Sequence, residues 1–443
     1  MVSYNFHPID RDPFLLPPDM SEWLPKDHIA YFLIEVVDTL DLSAFLSKFR
    51  EDGAGATAYH PKVLLGVLLY AYCHGLRSSR QIERRCQEDV AYRLIAANQQ
   101  PDHTTISRFV TRNTQALSDL FVQALKLCAA AGLVNVGTVA LDGTKIKANA
   151  ALDSNRTHSN LKKEIDAMLA EACEEDRRED GLYGPDRGDE LPPDMRDPSG
   201  RRARLKACLQ IVEQKEQQPL MQQAEKIEAW KKRSGYKGAR PKAIKDLELK
   251  AARANVTDPD SRVMQTRTEF IQGYNAQVAV TEEHIIVAAD VTQQVTDRLQ
   301  LQPMVQQTRA TLAELHPRPL LGTVVTDAGY YREANGRWAE EHYVDWLSAT
   351  TKRSKIDATQ VKRLNECLTY KDLQERRIHT RRGRTLYEKR GKTVEPVIGQ
   401  LKEVQNARRC SRRGIEAARS EWRLTCATHN LRKLYKARRP KGS

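Results

Sequence analysis

Eight cysteines lie at 73, 86, 128, 173, 208, 367, 410 and 426, with no CxxC pair and no histidine at partner spacing. That scatter excludes a zinc knuckle and gives no sign of a disulfide framework. Cys73-His74 reads as a buried thiol beside a half-exposed imidazole, not as a zinc ligand pair. No run of about 18 apolar residues occurs, and the amino terminus lacks a basic-then-apolar leader pattern, so the chain is expected to be cytosolic. Aromatic residues are scarce at 6%. Together with the placement of charge, that scarcity argues against the sugar cleft of a carboxylate-pair glycosidase.

What the chain has instead is basic charge, unevenly placed. Lys and Arg number 71 against 58 acids over 443 residues, a net of +13. Residues 371–443 alone hold 22 Lys and Arg against 7 Asp and Glu, which leaves the remainder close to neutral. A basic segment of this kind suits a polyanionic nucleic-acid partner; the bland alternative is a solubilising tail. The length implies two or three domains.

Three carboxylates stand in particular local settings. TVALDGTKIKA (138–148) reads as an apolar strand with Asp142 at or near its exposed end, and LLGTVVTDAGYY (320–331) as a buried strand delivering Asp327 into a Gly-containing turn. Either acid alone reads equally well as a turn cap. The stretch TLYEKRGKTVEPVIGQLKE (385–403) reads as a helix capped by Thr393, with Pro396 in its first turn. Val394, Val397, Ile398 and Leu401 share its apolar face. Glu395, Gly399 and Lys402 line a neighbouring face, with an acid for metal, an open position for a ligand and a cation for phosphate. Two strand-end acids and one helical acid form the parts list of a two-metal phosphoryl-transfer site.

With those residues in view, the sequence resembles a bacterial insertion-sequence transposase of the DDE class, in the group marked by a Tyr, Arg, Glu, Lys signature on the last catalytic helix. The resemblance implies Asp142, Asp327 and Glu395 as catalytic, metal-holding acids, and Tyr387, Arg390, Glu395 and Lys402 as the signature. Four residues separate Arg390 from Glu395, where the usual pattern has three; the six between Glu395 and Lys402 are kept. The implied chemistry is in-line displacement at phosphorus with two Mg2+ ions, Mn2+ able to substitute. Asp142 would bridge both ions and Asp327 and Glu395 would hold one each. Tyr387, Arg390 and Lys402 would place DNA phosphates. The implied partners are double-stranded DNA, as terminal inverted repeats and target, and a second copy of the chain in an active homodimer. No membrane partner is implied, and the compartment is the nucleoid-bearing bacterial cytoplasm. The alternatives are a metal nuclease that cuts without joining, and a non-catalytic DNA-binding relic.

Read in order, residues 1–130 are mostly helical after a proline-rich start. Pro61 opens an apolar central helix, Ser78-Ser79 caps the next, and Asp102 caps HTTISRFVTRN. Thr104, Thr105, Ser107 and Arg108 on that helix are compatible with a helix-turn-helix reading DNA, or with a purely structural packing. The resemblance favours DNA-end binding. Residues 131–155 hold the first core strand, and 156–265 form a helical insertion with a charged linker near 176–200 and a break at Pro219. Residues 266–437 complete the core through a half-buried strand (268–280), a second strand, a helix over 297–315 with Pro303 as a point for a bend, and the Asp327 strand. Asp290 and Asp297 read as a strand-end turn and a helix cap. An irregular basic insertion follows at 350–384, then the Glu395 helix, a terminal helix (415–437) with many Arg outside, and a basic tail (438–443). The expected class is α/β: a ribonuclease-H-like catalytic core with a helical insertion, preceded by an all-helical amino-terminal domain.

Overall fold

The computed structural model describes residues 20–50, 52, 57–165, 198–232, 252–266, 268–315, 321–350 and 369–438. The proline-rich start before residue 20, most of the linker near 176–200, the basic segment 233–242, residues 351–368 and the tail from 439 lie outside that set. Two compact units emerge, 1–147 with 274–443, and 148–273.

In the first unit the amino-terminal helices are α1 (Ile29–Thr39), α2 (Ser43–Leu46), α3 (Pro61–Cys73), α4 (Ser79–Glu88), α5 (Val90–Ile95), α6 (His103–Arg112) and α7 (Thr114–Ala130). Every residue of α3 except Lys62 is buried, as its apolar composition predicts. Asp89 caps α5 by accepting from Ala91 N at 2.9 Å, and Asp102 caps α6 by accepting from Thr105 N at 2.8 Å. Ser78 holds the cap position of α4 without a side-chain cap bond. Cys73 is buried and its thiol faces the Thr428 carbonyl, while His74 Nδ1 lies 2.9 Å from the Tyr70 carbonyl, an arrangement with no ligand pair.

The sheet of this unit comprises β1 (Thr138–Lys147), β5 (Phe270–Thr281), β6 (Ile286–Thr292), β7 (Thr323–Thr326) and β8 (Trp346–Ser348), ordered β6-β5-β1-β7-β8. β5 and β6 form an antiparallel hairpin, whereas β1–β7 and β7–β8 are parallel. Alternation predicted a half-buried β5; instead every residue after Phe270 is buried. Its polar positions stay inside because their amides are hydrogen-bonded: Asn275 and Gln277 each donate to Asp297 at 2.7 Å.

Later helices are α9 (Leu301–Leu315), α10 (Glu333–Glu341), α11 (Tyr370–His379), α12 (Arg381–Glu403) and α13 (Ile415–Arg438). Residues 370–384 are therefore helical, not irregular. The terminal helix α13 packs along α7 and against β6 and α3, so the helical region and the sheet share one unit with no division at residue 130. Much of α13 is polar yet buried because each polar group is answered. Asn430 imitates a strand, accepting from Ile286 N at 2.9 Å and donating to Ile286 O at 2.8 Å. Ile415, expected inside, is only partly buried.

The second unit is not purely helical. A helical stretch at 158–165 packs Leu161 and Ile165 on Leu205, Cys208 and Val212 of α8 (Pro198–Lys232), over Ala254 and Val256. Strands β2 (Asn155–Thr157) and β3 (Arg253–Asn255) pair antiparallel, and β4 (Arg262–Gln265) pairs with residues 270–273, the part of β5 that lies in this unit. α8 runs unbroken through Pro219, although proline there removes one backbone bond.

Glu421 of α13 is 1% exposed and meets Arg77 Nη1 at 2.9 Å, while Ser411 N and Oγ donate to the same carboxylate. Removing one partner of such a pair leaves an uncompensated buried charge. Arg77→Met is expected to destabilise the protein by about 3–5 kcal/mol in urea unfolding, and Arg77→Met with Glu421→Gln by clearly less.

Candidate active site

The register of the two central strands builds the site. β1 and β7 run parallel with Leu141 opposite Thr326, so the next residue on each, Asp142 and Asp327, emerges at the same level on neighbouring strands. β7 ends at Thr326 as expected, but β1 continues through Asp142 to Lys147. Asp142 is thus a mid-strand residue at the point where its neighbour stops. Each carboxylate is held by a backbone N–H just after it: Asp142 Oδ1 accepts from Gly143 N within β1 and Asp327 Oδ1 from Gly329 N in the turn after β7, both at 2.8 Å.

The helix bearing Glu395 begins earlier than its sequence suggested. Thr380 caps α12 by accepting from Gly383 N at 2.9 Å, and Thr393 and Pro396 lie in its interior. Pro396 has no N–H to offer the carbonyl four residues back. That carbonyl, Lys392 O, lies 3.0 Å from His284 Nε2, so the imidazole stands in for the missing donor. Val394, Val397 and Leu401 are fully buried and fix the helix against the unit's interior. Glu395 faces outward with its side chain 68% exposed, and a Cβ at Gly399 would meet nothing within 4 Å.

Arg390 joins the elements. Its Nη1 lies 3.1 Å from Asp142 Oδ2 and its Nη2 3.7 Å from Glu395 Oε1, with the guanidinium carbon 5.8 Å from the Tyr387 ring centre. Its Nε is buried without a hydrogen-bond partner among the described residues. The structure thus brings Asp142, Asp327, Glu395, Arg390 and Tyr387 into one region. Lys402 stands two helical turns beyond Glu395, about 10 Å along the axis. Among the described residues no three acids converge as a ready-made ligand set.

Burial pushes the Asp142 carboxyl up to about 6; Arg390 opposes the shift and neighbouring Asp327 adds to it. Asp327 is also raised by burial, against the Gly329 N–H and Arg390. Burial works against the Arg390 charge, but Asp142, Tyr387 and Asp327 hold its pKa above the usual value. Two desolvated carboxylates answered by one guanidinium form a donor set with negative charge in excess once both ionise, which a divalent cation fits.

Sequence reasoning missed the shell behind these acids. Asp297, expected as a helix cap, instead accepts at Oδ1 from Asn275 and Gln277 and lies 3.8 Å from Lys145 Nζ. The other face of Gln277 accepts from the Tyr330 hydroxyl, three residues after Asp327. Gly143 is required by this approach: a Cβ there would lie 2.4 Å from Asp297 Oδ1 and 2.3 Å from Gln277 Nε2. The available signal was Asn275 and Gln277, two amides at strand spacing in an otherwise apolar run. Asp290, by contrast, pairs with Arg419 at 2.5 Å, away from the acids.

On α6, Thr104, Ser107 and Arg108 are exposed while Ile106 and Phe109 are buried. The Thr105 hydroxyl is engaged by its cap, donating to Asp102 at 2.9 Å.

Two family models match the chain. Residues 18–112, reaching the end of α6, match the one described as Transposase domain (DUF772), and residues 251–431 match the Transposase DDE domain. Asp327, Tyr387, Arg390, Glu395 and Lys402 fall within the second match, and Asp142 lies between the two. No curated protein and no solved structure matches. No described helix is long and apolar enough to cross a membrane. By these two matches, covering the helical region and the Glu395-bearing region, the chain belongs to the insertion-sequence transposases of the DDE class.

Proposed function

We propose that this transposase binds the ends of its insertion sequence and performs strand cleavage and strand transfer at Asp142, Asp327 and Glu395. The observation that carries the reading is the level placement of Asp142 and Asp327 on adjacent parallel strands, with Arg390 of the Glu395 helix against them. The strand order β6-β5-β1-β7-β8, with its hairpin and parallel half, supports a ribonuclease-H-like core.

DDE transposase domains generally use divalent metal ions. Asp142, Asp327 and Glu395 would hold Mg2+ here, Mn2+ serving in its place. The bound metal would supply Lewis-acid activation of the attacking oxygen and stabilisation of the leaving one. The chain's own contribution is positioning. Gly143 and Gly329 fix the two aspartates, and Arg390 neutralises Asp142 until a cation does so. Gly399 leaves room for a DNA backbone, and Lys402 offers it a point charge further along the helix. The exposed Thr104, Ser107 and Arg108 on α6 support DNA-end contact by the helical region. Two copies acting as a homodimer would bring two ends together.

Asp142→Asn, Asp327→Asn and Glu395→Gln are each expected to lower metal-dependent nicking of a duplex carrying the DNA end that borders the gene by about 10³-fold. Binding of that duplex should remain, and EDTA should abolish nicking by the wild type. Full nicking by any one variant removes that acid from the site.

Arg108→Ala should weaken binding of the same end about 5–10-fold and reduce the salt slope by about 1, without changing the metal requirement. Unchanged affinity and slope in fluorescence anisotropy would leave α6 a structural helix.

Asp142 binds its proton more tightly folded, with a pKa of about 6, than unfolded, at about 3.9. Its contribution to stability is therefore full below about pH 4 and lost as pH rises through about 6. In EDTA, the stability of Asp142→Asn relative to wild type should shift in the variant's favour by about 3 kcal/mol between pH 4 and pH 7.5, as read from urea unfolding. A pH-independent difference would mean that Asp142 titrates as an ordinary carboxylate.

A further inference from the structure

Beside the acids lies a groove whose lining the reaction has not used. Thr296, Arg298 and Leu299 form one wall, and Tyr331 and Arg332 the other, around a volume of ≈ 570 Å³. One wall continues the chain from the shell behind the acids, Arg298 following Asp297, and the other from a site acid, Tyr331 and Arg332 closing the turn opened by Asp327. The walls are fastened to each other. Asn335, 2% exposed, donates through its single amide nitrogen to Arg298 O at 2.9 Å and to Tyr330 O at 2.8 Å. The groove is therefore a built feature of the fold.

Its chemistry is mixed in a particular way. Arg298 and Arg332 are exposed, and neither guanidinium has a carboxylate or hydrogen-bond partner among the described residues. Three other arginines of this unit are engaged, Arg377 with Asp345, Arg390 with Asp142 and Arg419 with Asp290. Leu299 is 46% exposed, and the Tyr331 ring, stacked on Trp346 at 6.3 Å and 12°, is held flat and half-buried. Two free guanidiniums beside an anchored aromatic ring and an apolar side chain complement a phosphodiester with its base. The volume falls within the range of small-ligand clefts, about 300–1,000 Å³.

We propose that this groove is a DNA-strand subsite, in which Arg298 and Arg332 grip a phosphate and Tyr331 and Leu299 receive the attached base of the strand passing the acids. The assignment rests on the reading of the acids as a DNA-cutting site, and it adds where the strand lies next to that site.

The test uses the full chain with two labelled probes, the duplex carrying the bordering DNA end and an oligothymidylate. Arg298→Ala with Arg332→Ala should weaken both about 10-fold and lower the salt slope by about 1–2. Its melting temperature should match the wild type, because neither side chain has a partner to lose. Tyr331→Leu should weaken the oligothymidylate about 5-fold or more with an unchanged salt slope, and Tyr331→Phe should restore it. Wild-type affinity and slope in the double variant overturn the subsite, whatever Glu395→Gln does to cutting. Weakened binding in the double variant, with Glu395→Gln still cutting at the wild-type rate, upholds the groove as a DNA contact and overturns the active-site reading instead. If the wild type binds neither probe, both fail.

Discussion

One guanidinium between two carboxylates sets the terms for the site. Arg390 comes from a helix, Asp142 from a central strand, and Glu395 lies just over one turn further along that helix. Without Arg390, a largely buried Asp142 would lie beside Asp327 without the cation that contacts it, and either aspartate would ionise only at a cost. The ion pair therefore does two things at once. It makes the acidic cluster tolerable in a folded chain, and it ties the Glu395 helix to the strand edge where the acids emerge. On the proposed metal-holding role of the acids, a cation that displaced the guanidinium would inherit both roles and so link metal loading to the seating of α12.

A second device recurs around this centre: polar side chains tie separate elements together. His284 answers the carbonyl that Pro396 leaves open. Asn430 pairs with both backbone groups of Ile286, joining α13 to β6. Gln277 holds Asp297 with one end and Tyr330 with the other, and Asn335 clamps two loops through their carbonyls. Each of these groups is satisfied inside the protein, and a satisfied buried polar group restricts geometry more sharply than an apolar contact does. The acids stand on a rigid polar scaffold.

Much of this was legible in the chain. Apolar runs ending at Asp142 and Asp327 marked the two central strands, because parallel strands buried on both faces read as continuous hydrophobic stretches. The spacing of Val394, Val397 and Leu401 marked the buried face of α12. Its start was misread because Thr393 and Pro396 mimic a helix opening, and nothing local shows that His284, more than a hundred residues away, compensates the proline. Asp297 was assigned to a cap for a similar reason. Its partners Asn275, Gln277 and Lys145 come from two other strands, and such meetings are set by tertiary packing. The placement of the helical region in the same unit as the sheet was hidden too. It depends on α13, whose buried Thr425, Thr428, His429 and Asn430 carry no hydrophobic period.

The most direct test of the central claim is Mn2+ binding, followed by electron paramagnetic resonance on the full chain with and without DNA. Mn2+ is expected to bind the wild type, and Asp142→Asn and Asp327→Asn are each expected to weaken that binding by at least about tenfold. Equal Mn2+ binding by wild type and both variants would contradict the claim, and would place any metal chemistry of this transposase elsewhere.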